Sequence, residues 1–294
     1  MLTVLESIKL STDYLQKKGI ESPRINAELL LANILNCKRL DLYLKFDQPL
    51  KEEEINMYRE FISRRGKFEP LQYITGSVEF FGLEFKVNSS VLIPRPETEI
   101  LVEAIIDSAG KEENVDILDI GTGSGNIAVS VAKNLPNSKI SAIDISSDAL
   151  LVAEKNAKLN SVEGRIDFMN DSILNGVIYA AKKYDIVVSN PPYISVEEFG
   201  NLQPELKVYE PRTALTDEGD GFSFFRIISS KTKNLLKDKG KLFFEVGKDQ
   251  YKQVENILLE NGFRNINIKR DYLNIERVIY GEFEPETHPP LEEN

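Results

Sequence analysis

The chain has 294 residues, 41% hydrophobic and 28% charged, with a formal net charge of -11. That length and balance fit a globular protein of one large domain or two unequal ones, and the acidic sign argues against one that grips long nucleic acid through phosphates. One cysteine, Cys37, excludes an intramolecular disulfide, and the one histidine, His288, falls in a Pro-rich tail read as disordered over 284–294. The folded part therefore offers no Ser-His-Asp, Cys-His or His/Cys zinc site.

The amino terminus has no basic segment followed by an apolar one, and no stretch approaches a membrane-spanning length, so a cytoplasmic protein is expected. Thr3 and Glu6 have capping-box spacing, and Leu5, Ile8 and Leu15 recur at helical intervals, predicting a first helix. Ile25, Leu29, Leu30, Ala32 and Ile34 after Pro23 predict a second, followed by Cys37 as a small buried side chain. Ile55, Met57, Tyr58 and Phe61 predict a third. Residues 1–70 thus read as an all-helical unit whose apolar stripes form a small bundle core.

Between Gln72 and Val87, two aromatic and β-branched runs bracketed by glycines read as a β-hairpin linker over 71–88, with the domain boundary near residue 85. The block Leu92 to Glu99 sets Pro96 near a first helical turn, with Glu97 and Glu99 at the positive end of the helix dipole. Arg95 is harder to explain as structure and is a candidate substrate-binding residue.

From Val115 short apolar runs alternate with helical ones. Strands are expected at Asp116 to Ile120, Lys139 to Asp144, Arg165 to Met169, Tyr184 to Ser189, Gly240 to Val246, Asn265 to Lys269 and Ile275 to Tyr280. Such alternation predicts an α/β fold over 89–283 with a mostly parallel seven-stranded sheet and helices on both faces.

The first of these strands ends in Asp119-Ile120-Gly121-Thr122-Gly123-Ser124-Gly125-Asn126, and a helix begins at once. Glycines at alternate positions let the backbone turn tightly and approach a ligand beside the helix amino terminus. Their first, third and fifth spacing departs from the first, third and sixth of a dinucleotide fingerprint. The second strand ends in Asp144, where an acid can accept both hydroxyls of a ribose. The third is followed by Asp171, able to accept from an adenine amino group or to cap a helix, and by Ser172. The fourth ends in Asn190-Pro191-Pro192-Tyr193, where the prolines must end the pairing. This tetrapeptide reads either as an ordinary turn or as a clamp in which an Asn side chain and a fixed carbonyl grip a planar NH2 group beneath a Tyr ring.

Together Asp119 to Gly125, Asp144 and Asn190-Pro191-Pro192-Tyr193 resemble the Rossmann-like, class I S-adenosylmethionine-dependent methyltransferases that act on exocyclic or amide nitrogens. With the helical amino-terminal unit, Pro70 to Gly82, Ile93 to Glu99 and Arg270 to Arg277, the chain resembles the HemK-like peptide chain release factor glutamine methyltransferases (PrmC family) up to about Gly281. The resemblance implies methylation of the glutamine in the Gly-Gly-Gln motif of class I release factors, giving N5-methylglutamine. It also implies S-adenosylmethionine as cofactor, bound by Gly121, Thr122, Gly123, Ser124, Gly125, Asp144, Asp171, Ser172 and Asn190. Asn190, Pro191 and Tyr193 would hold the substrate amide, with Pro192 and Arg95 beside it. Some relatives carry an aromatic residue where this chain has Ser172. No metal, no membrane and no nucleic-acid contact are expected, and the protein is expected to be a monomer with its helical unit docking the protein substrate. The alternatives are an adenine-N6 nucleic-acid methyltransferase, which presents the same planar NH2 to the tetrapeptide, and a non-catalytic nucleotide-binding module.

Overall fold

A computed structural model describes residues 2–110, 114–175 and 182–284. The tail from residue 285 and its His288 lie outside the described residues. Two compact units emerge: residues up to Ser77 together with Gln203–Tyr209, and Val78–Leu202 together with those from Glu210 onward.

In the first unit α1 (Val4–Lys17) begins at the expected capping box, with Glu6 Oε2 accepting from the Thr3 amide at 2.9 Å. Val4, Ile8 and Leu15 are buried, as the helical spacing requires. Helix α2 (Pro23–Ile34) opens on a proline, whose missing N–H costs nothing at a first turn. Its inward face is Ala27, Leu30 and Leu31, whereas Ile25 and Leu29, expected inside, are exposed. The 3₁₀ helix Arg39–Lys45 and α3 (Glu52–Arg65) complete the bundle, and the buried Tyr58 hydroxyl donates to the Ala27 carbonyl at 2.9 Å. Cys37 is half-buried against this core rather than within it. Arg65, nearly fully buried, donates to Asn26 Oδ1 and to Glu205 on α9 (Pro204–Tyr209), so its charge is paired.

The stretch after Pro70 departs from the expected hairpin. Leu71–Thr75 is a helical turn, α4, stopped by Gly76 at φ 76°. Pairing starts only at β1 (Ser77–Phe80) and returns through β2 (Leu83–Lys86). Phe81 and Gly82, both with positive φ, make the two-residue turn whose twist suits a hairpin. Phe80 and Phe85 are fully buried in the core of the second unit, so this hairpin is part of that unit's packing.

The second unit continues through α5 (Thr98–Ala109), β3 (Asp116–Ile120), α6 (Asn126–Asn134), β4 (Lys139–Asp144), α7 (Ser147–Leu159), β5 (Ile166–Asn170) and β6 (Tyr184–Ser189). After the short α8 (Val196–Phe199) and α10 (Arg212–Leu215) come α11 (Ser223–Thr232), β7 (Leu236–Glu245), α12 (Tyr251–Glu260), β8 (Phe263–Arg270) and β9 (Glu276–Phe283). The sheet order is β5-β4-β3-β6-β7-β9-β8, parallel except where β9 runs against β7 and β8. Apolar clusters cover both faces, which is why the central strands read as unbroken Ile, Leu, Val and Phe runs. The chain grows outward from β3 through β4 to β5 and then returns to β6 on the other side of β3. That reversal leaves a crevice beyond the carboxyl ends of β3 and β6, where ligands of open α/β sheets bind.

Candidate active site

A cavity of about 300 Å3 occupies that crevice. Its wall includes Gly121, Thr122, Gly123 and Ser124 after β3, Asp144 at the end of β4, Asp171 and Ser172 after β5, and Asn190, Pro191 and Pro192 after β6, with Arg95 from the segment before α5. Two of the expected residues do not line it. Gly125, the N-cap before α6 at φ 77°, sits where a Cβ would come 3.1 Å from the Ala153 Cβ, so its small size serves the packing of α6 on α7. Tyr193, the last residue of the tetrapeptide, is set back from the cavity wall, its hydroxyl 3.5 Å from Glu245 Oε1 and its carbonyl accepting from Gln250 Nε2 at 2.9 Å.

The glycine turn is held by the strand next to it. The amides of Gly121 and Thr122 donate to the Ile143 carbonyl at 2.9 and 3.0 Å, and the Gly123 amide donates to Asp144 Oδ2 at 2.8 Å. Asp144 Oδ1 accepts from the Ser146 amide at 2.9 Å. Burial raises the Asp144 pKa, while these amide donors draw it back toward the carboxylate. Asp171 and Asn170 both donate to the Asp144 carbonyl, so three strand ends are tied into one rim. Ser172 donates its amide to Asp171 Oδ1 at 2.7 Å, and no described helix starts there for Asp171 to cap.

With three of its amides committed to protein acceptors, the turn is a poor phosphate cradle, and Arg95, the one basic side chain on the wall among the described residues, is paired with Glu210 at 2.5 Å. Asp144, Asp148 and Asp171 face the same space. This donor set suits a ligand that carries positive charge, ribose hydroxyls and no phosphate, and S-adenosylmethionine meets all three conditions. The pairing with Glu210, which is nearly fully buried, also gives Arg95 the structural role that the sequence did not disclose.

At the β6 end Asn190 Nδ2 is 3.4 Å from the Thr98 Oγ, and neither Asn190 Oδ1 nor the Pro191 carbonyl accepts a hydrogen bond among the described residues. Thr98 is buried at the start of α5, and its hydroxyl faces Glu245, the last residue of β7. Glu245 is 2% exposed, with Oε2 lacking any partner among the described residues. Burial raises its pKa to about 7, against the Thr98 hydroxyl and the Arg277 charge. Burial likewise pushes the Tyr193 phenol upward, helped by the Glu245 charge. Asp119, fully buried at the end of β3, accepts from Thr122 Oγ at 2.6 Å and is raised to about 7 by burial and by the neighbouring Asp144.

Thr98, Glu245 and Asp119 are the participants the motif reading left without roles, as is Asn156 on α7. Asn156, fully buried, accepts from the Lys86 amide at 2.7 Å and donates to the carbonyls of Lys86 and Ser124, joining hairpin and glycine turn. A signal for Glu245 existed: an acid inside the apolar run Leu242-Phe243-Phe244-Glu245-Val246 has to be buried with a purpose. Thr98 had none, because a Thr on a first helical turn is common.

Fold and rim together define a class I methyltransferase that uses S-adenosylmethionine. The family described as methyltransferase small domain matches residues 96–220, and that described as PrmC N-terminal domain matches residues 6–76. The release factor glutamine methyltransferase of Fusobacterium nucleatum is 43% identical over 94% of this chain and 77% of its own length. That of Chlorobaculum tepidum is 39% identical over 94% of this chain and 96% of its own. A methyltransferase from Pyrococcus furiosus shares the fold at a TM-score of 0.51 and 16% identity, over 70% of this chain and 91% of that one. The chain belongs to the release factor glutamine methyltransferase family.

Proposed function

We propose that this protein transfers a methyl group to the side-chain amide nitrogen of the glutamine in the Gly-Gly-Gln motif of class I release factors, giving N5-methylglutamine. The observation that carries the reading is Asn190, whose Nδ2 is turned to Thr98 while its Oδ1 and the adjacent Pro191 carbonyl stay unengaged on the wall of the cavity. Two acceptors side by side match the two N–H groups of a primary amide.

S-adenosylmethionine, when bound, supplies an electrophilic methyl on a sulfonium. An amide nitrogen is a poor nucleophile because its lone pair is delocalised, so the chain's contribution is orientation and electrostatics. Asn190 Oδ1 and the Pro191 carbonyl would accept the two amide hydrogens, aim the lone pair and stabilise positive charge as it develops on nitrogen, and one of those two protons would then pass to solvent, leaving the single N–H of N5-methylglutamine. Asp144 would accept from the ribose, the Gly121 to Ser124 turn would give the cofactor room, and Asp171 and Ser172 would face its base. Tyr193, set back from the cavity wall, would hold the backbone of the tetrapeptide through its contacts with Glu245 and Gln250.

The acidic net charge of -11 supports a protein substrate over nucleic acid. The helical unit, with Leu40 and Leu44 69% and 88% exposed, is proposed to dock the release factor. A monomer in the cytoplasm goes with this reading, and no described helix is long and apolar enough to cross a membrane. The test is transfer of labelled methyl to a purified class I release factor, to the same factor with the motif glutamine replaced, and to DNA. Label in the first sample only supports the reading; label in DNA would establish the adenine alternative, and bound cofactor without product in any sample a binding module.

A further inference from the structure

We infer that Thr98 and Glu245 are positioning residues that fix which end of the Asn190 amide faces the substrate. The inference deepens the reading of the site given above and rests on it for its kinetic arm.

An Asn side chain has an acceptor end and a donor end of nearly the same shape, and only its hydrogen-bond partners decide between the two orientations. A primary amide presented with the wrong end would meet NH2 against NH2. Asn190 reaches one side-chain partner, the Thr98 hydroxyl at 3.4 Å, and a hydroxyl can take either role. What removes the ambiguity is the acid behind it. Glu245 is 2% exposed, one of its oxygens has no hydrogen-bond partner among the described residues, the Tyr193 hydroxyl is 3.5 Å from the other, and the Thr98 hydroxyl stands near the carboxyl. Where Glu245 is ionised it is acceptor-only, and the Thr98 proton is then drawn toward it. The lone pairs of Thr98 are then left for Asn190 Nδ2, which turns Oδ1 outward. The contacts to Asn190 and Tyr193 are long, 3.4 and 3.5 Å, as catalytic hydrogen bonds often are before substrate closes on them. None of the three positions is near another in sequence: Thr98 starts α5, Asn190 follows β6 and Glu245 ends β7. Their meeting has no use in stabilising the fold that an apolar trio would not serve better.

The test uses the full chain with Thr98→Val, Thr98→Ser and Glu245→Gln. In Thr98→Val, kcat toward the release factor should fall roughly 10- to 100-fold, while KM for the release factor and Kd for S-adenosylmethionine stay within about twofold of wild type. Thr98→Ser should restore most of kcat, and Glu245→Gln, which brings a donor where only acceptors stood, should lose kcat without losing cofactor. Wild-type kcat in Thr98→Val, or a parallel loss of kcat and cofactor affinity in all three variants, would overturn the inference. A second readout needs no turnover: the side-chain amide resonances of Asn190, identified by their loss in Asn190→Ala, should shift and exchange faster in Thr98→Val than in wild type. Unchanged resonances would also overturn it. If the wild-type protein puts no methyl on any release factor, the functional reading fails by itself, and these resonances still decide whether Thr98 holds Asn190.

Discussion

At Asn190 Nδ2 is spent on Thr98, while Oδ1 accepts no hydrogen bond among the described residues and under the proposed function is left for the substrate amide. Truncating it to Ala removes an acceptor that acts on developing charge, so kcat should drop by on the order of a hundredfold or more, while Kd for S-adenosylmethionine, measured by calorimetry, changes little. Loss of cofactor binding with normal turnover at saturation would assign Asn190 to the cofactor instead. The motif Asn190-Pro191-Pro192-Tyr193 was legible because prolines after an apolar strand have one physical meaning, the end of pairing. The rearward placement of Tyr193 was not legible. A Tyr on a rim is equally plausible on either side of it, and only packing against Gly247, where a Cβ would come 3.1 Å from the ring, and Glu245 decides.

Among elements, α7 matters more than its amphipathic pattern suggests. Through Asn156 it supports both β2 and the glycine turn after β3, with three hydrogen bonds made by one buried side chain. Asn156→Ala leaves the buried Ser124 carbonyl, and the part-buried Lys86 amide and carbonyl, without their side-chain partner. We expect a loss of about 3 kcal/mol of stability in denaturant unfolding, together with weaker cofactor binding as the turn loosens. The start of the hairpin is the instructive miss of the sequence reading: the two strands are there at Ser77–Phe80 and Leu83–Lys86, but they begin later than expected. Gln72, Tyr73 and Ile74 have strand-like composition but form α4, since Gly76 in the left-handed region ends a helical turn and starts the strand after it. Composition over three residues is a weak guide when tertiary burial of Tyr73 and Ile74 is available in either conformation.

For the whole molecule, the buried acids set a pH dependence. Asp119 and Glu245 both have folded pKa values of about 7, above those of an unfolded chain. The folded state then holds more protons between pH 4 and 7, so the stability they contribute is full below about pH 4 and is lost as pH rises through 7. Asp119→Asn, which keeps an acceptor for Thr122, should therefore match wild type in Tm near pH 5 and exceed it by a few degrees at pH 8 in scanning calorimetry. An equal offset at both values would mean that Asp119 is ionised throughout. The other prediction at this scale concerns substrate docking. Leu44→Asp, on a side chain 88% exposed in the helical unit, should raise KM for a release factor several-fold and leave cofactor Kd and Tm unchanged. Unchanged KM would move the docking surface elsewhere.

The sequence by itself determined the strand-turn-helix around Gly121 to Gly125, the acid at Asp144, the Asn-Pro-Pro-Tyr strand end and the alternation that makes a parallel sheet. Each is a local signal, written in proline, glycine and hydrophobic period, and local chemistry constrains it. Only the tertiary structure decided that Gly125 packs helices while Gly123 lines the cavity, that Arg95 is paired to Glu210, and that Thr98 and Glu245 stand behind Asn190. Those contacts join positions 28 residues apart for Gly125 and Ala153, 92 for Thr98 and Asn190 and 115 for Arg95 and Glu210, and no local period records them, because the sheet order, not the chain, makes their side chains neighbours.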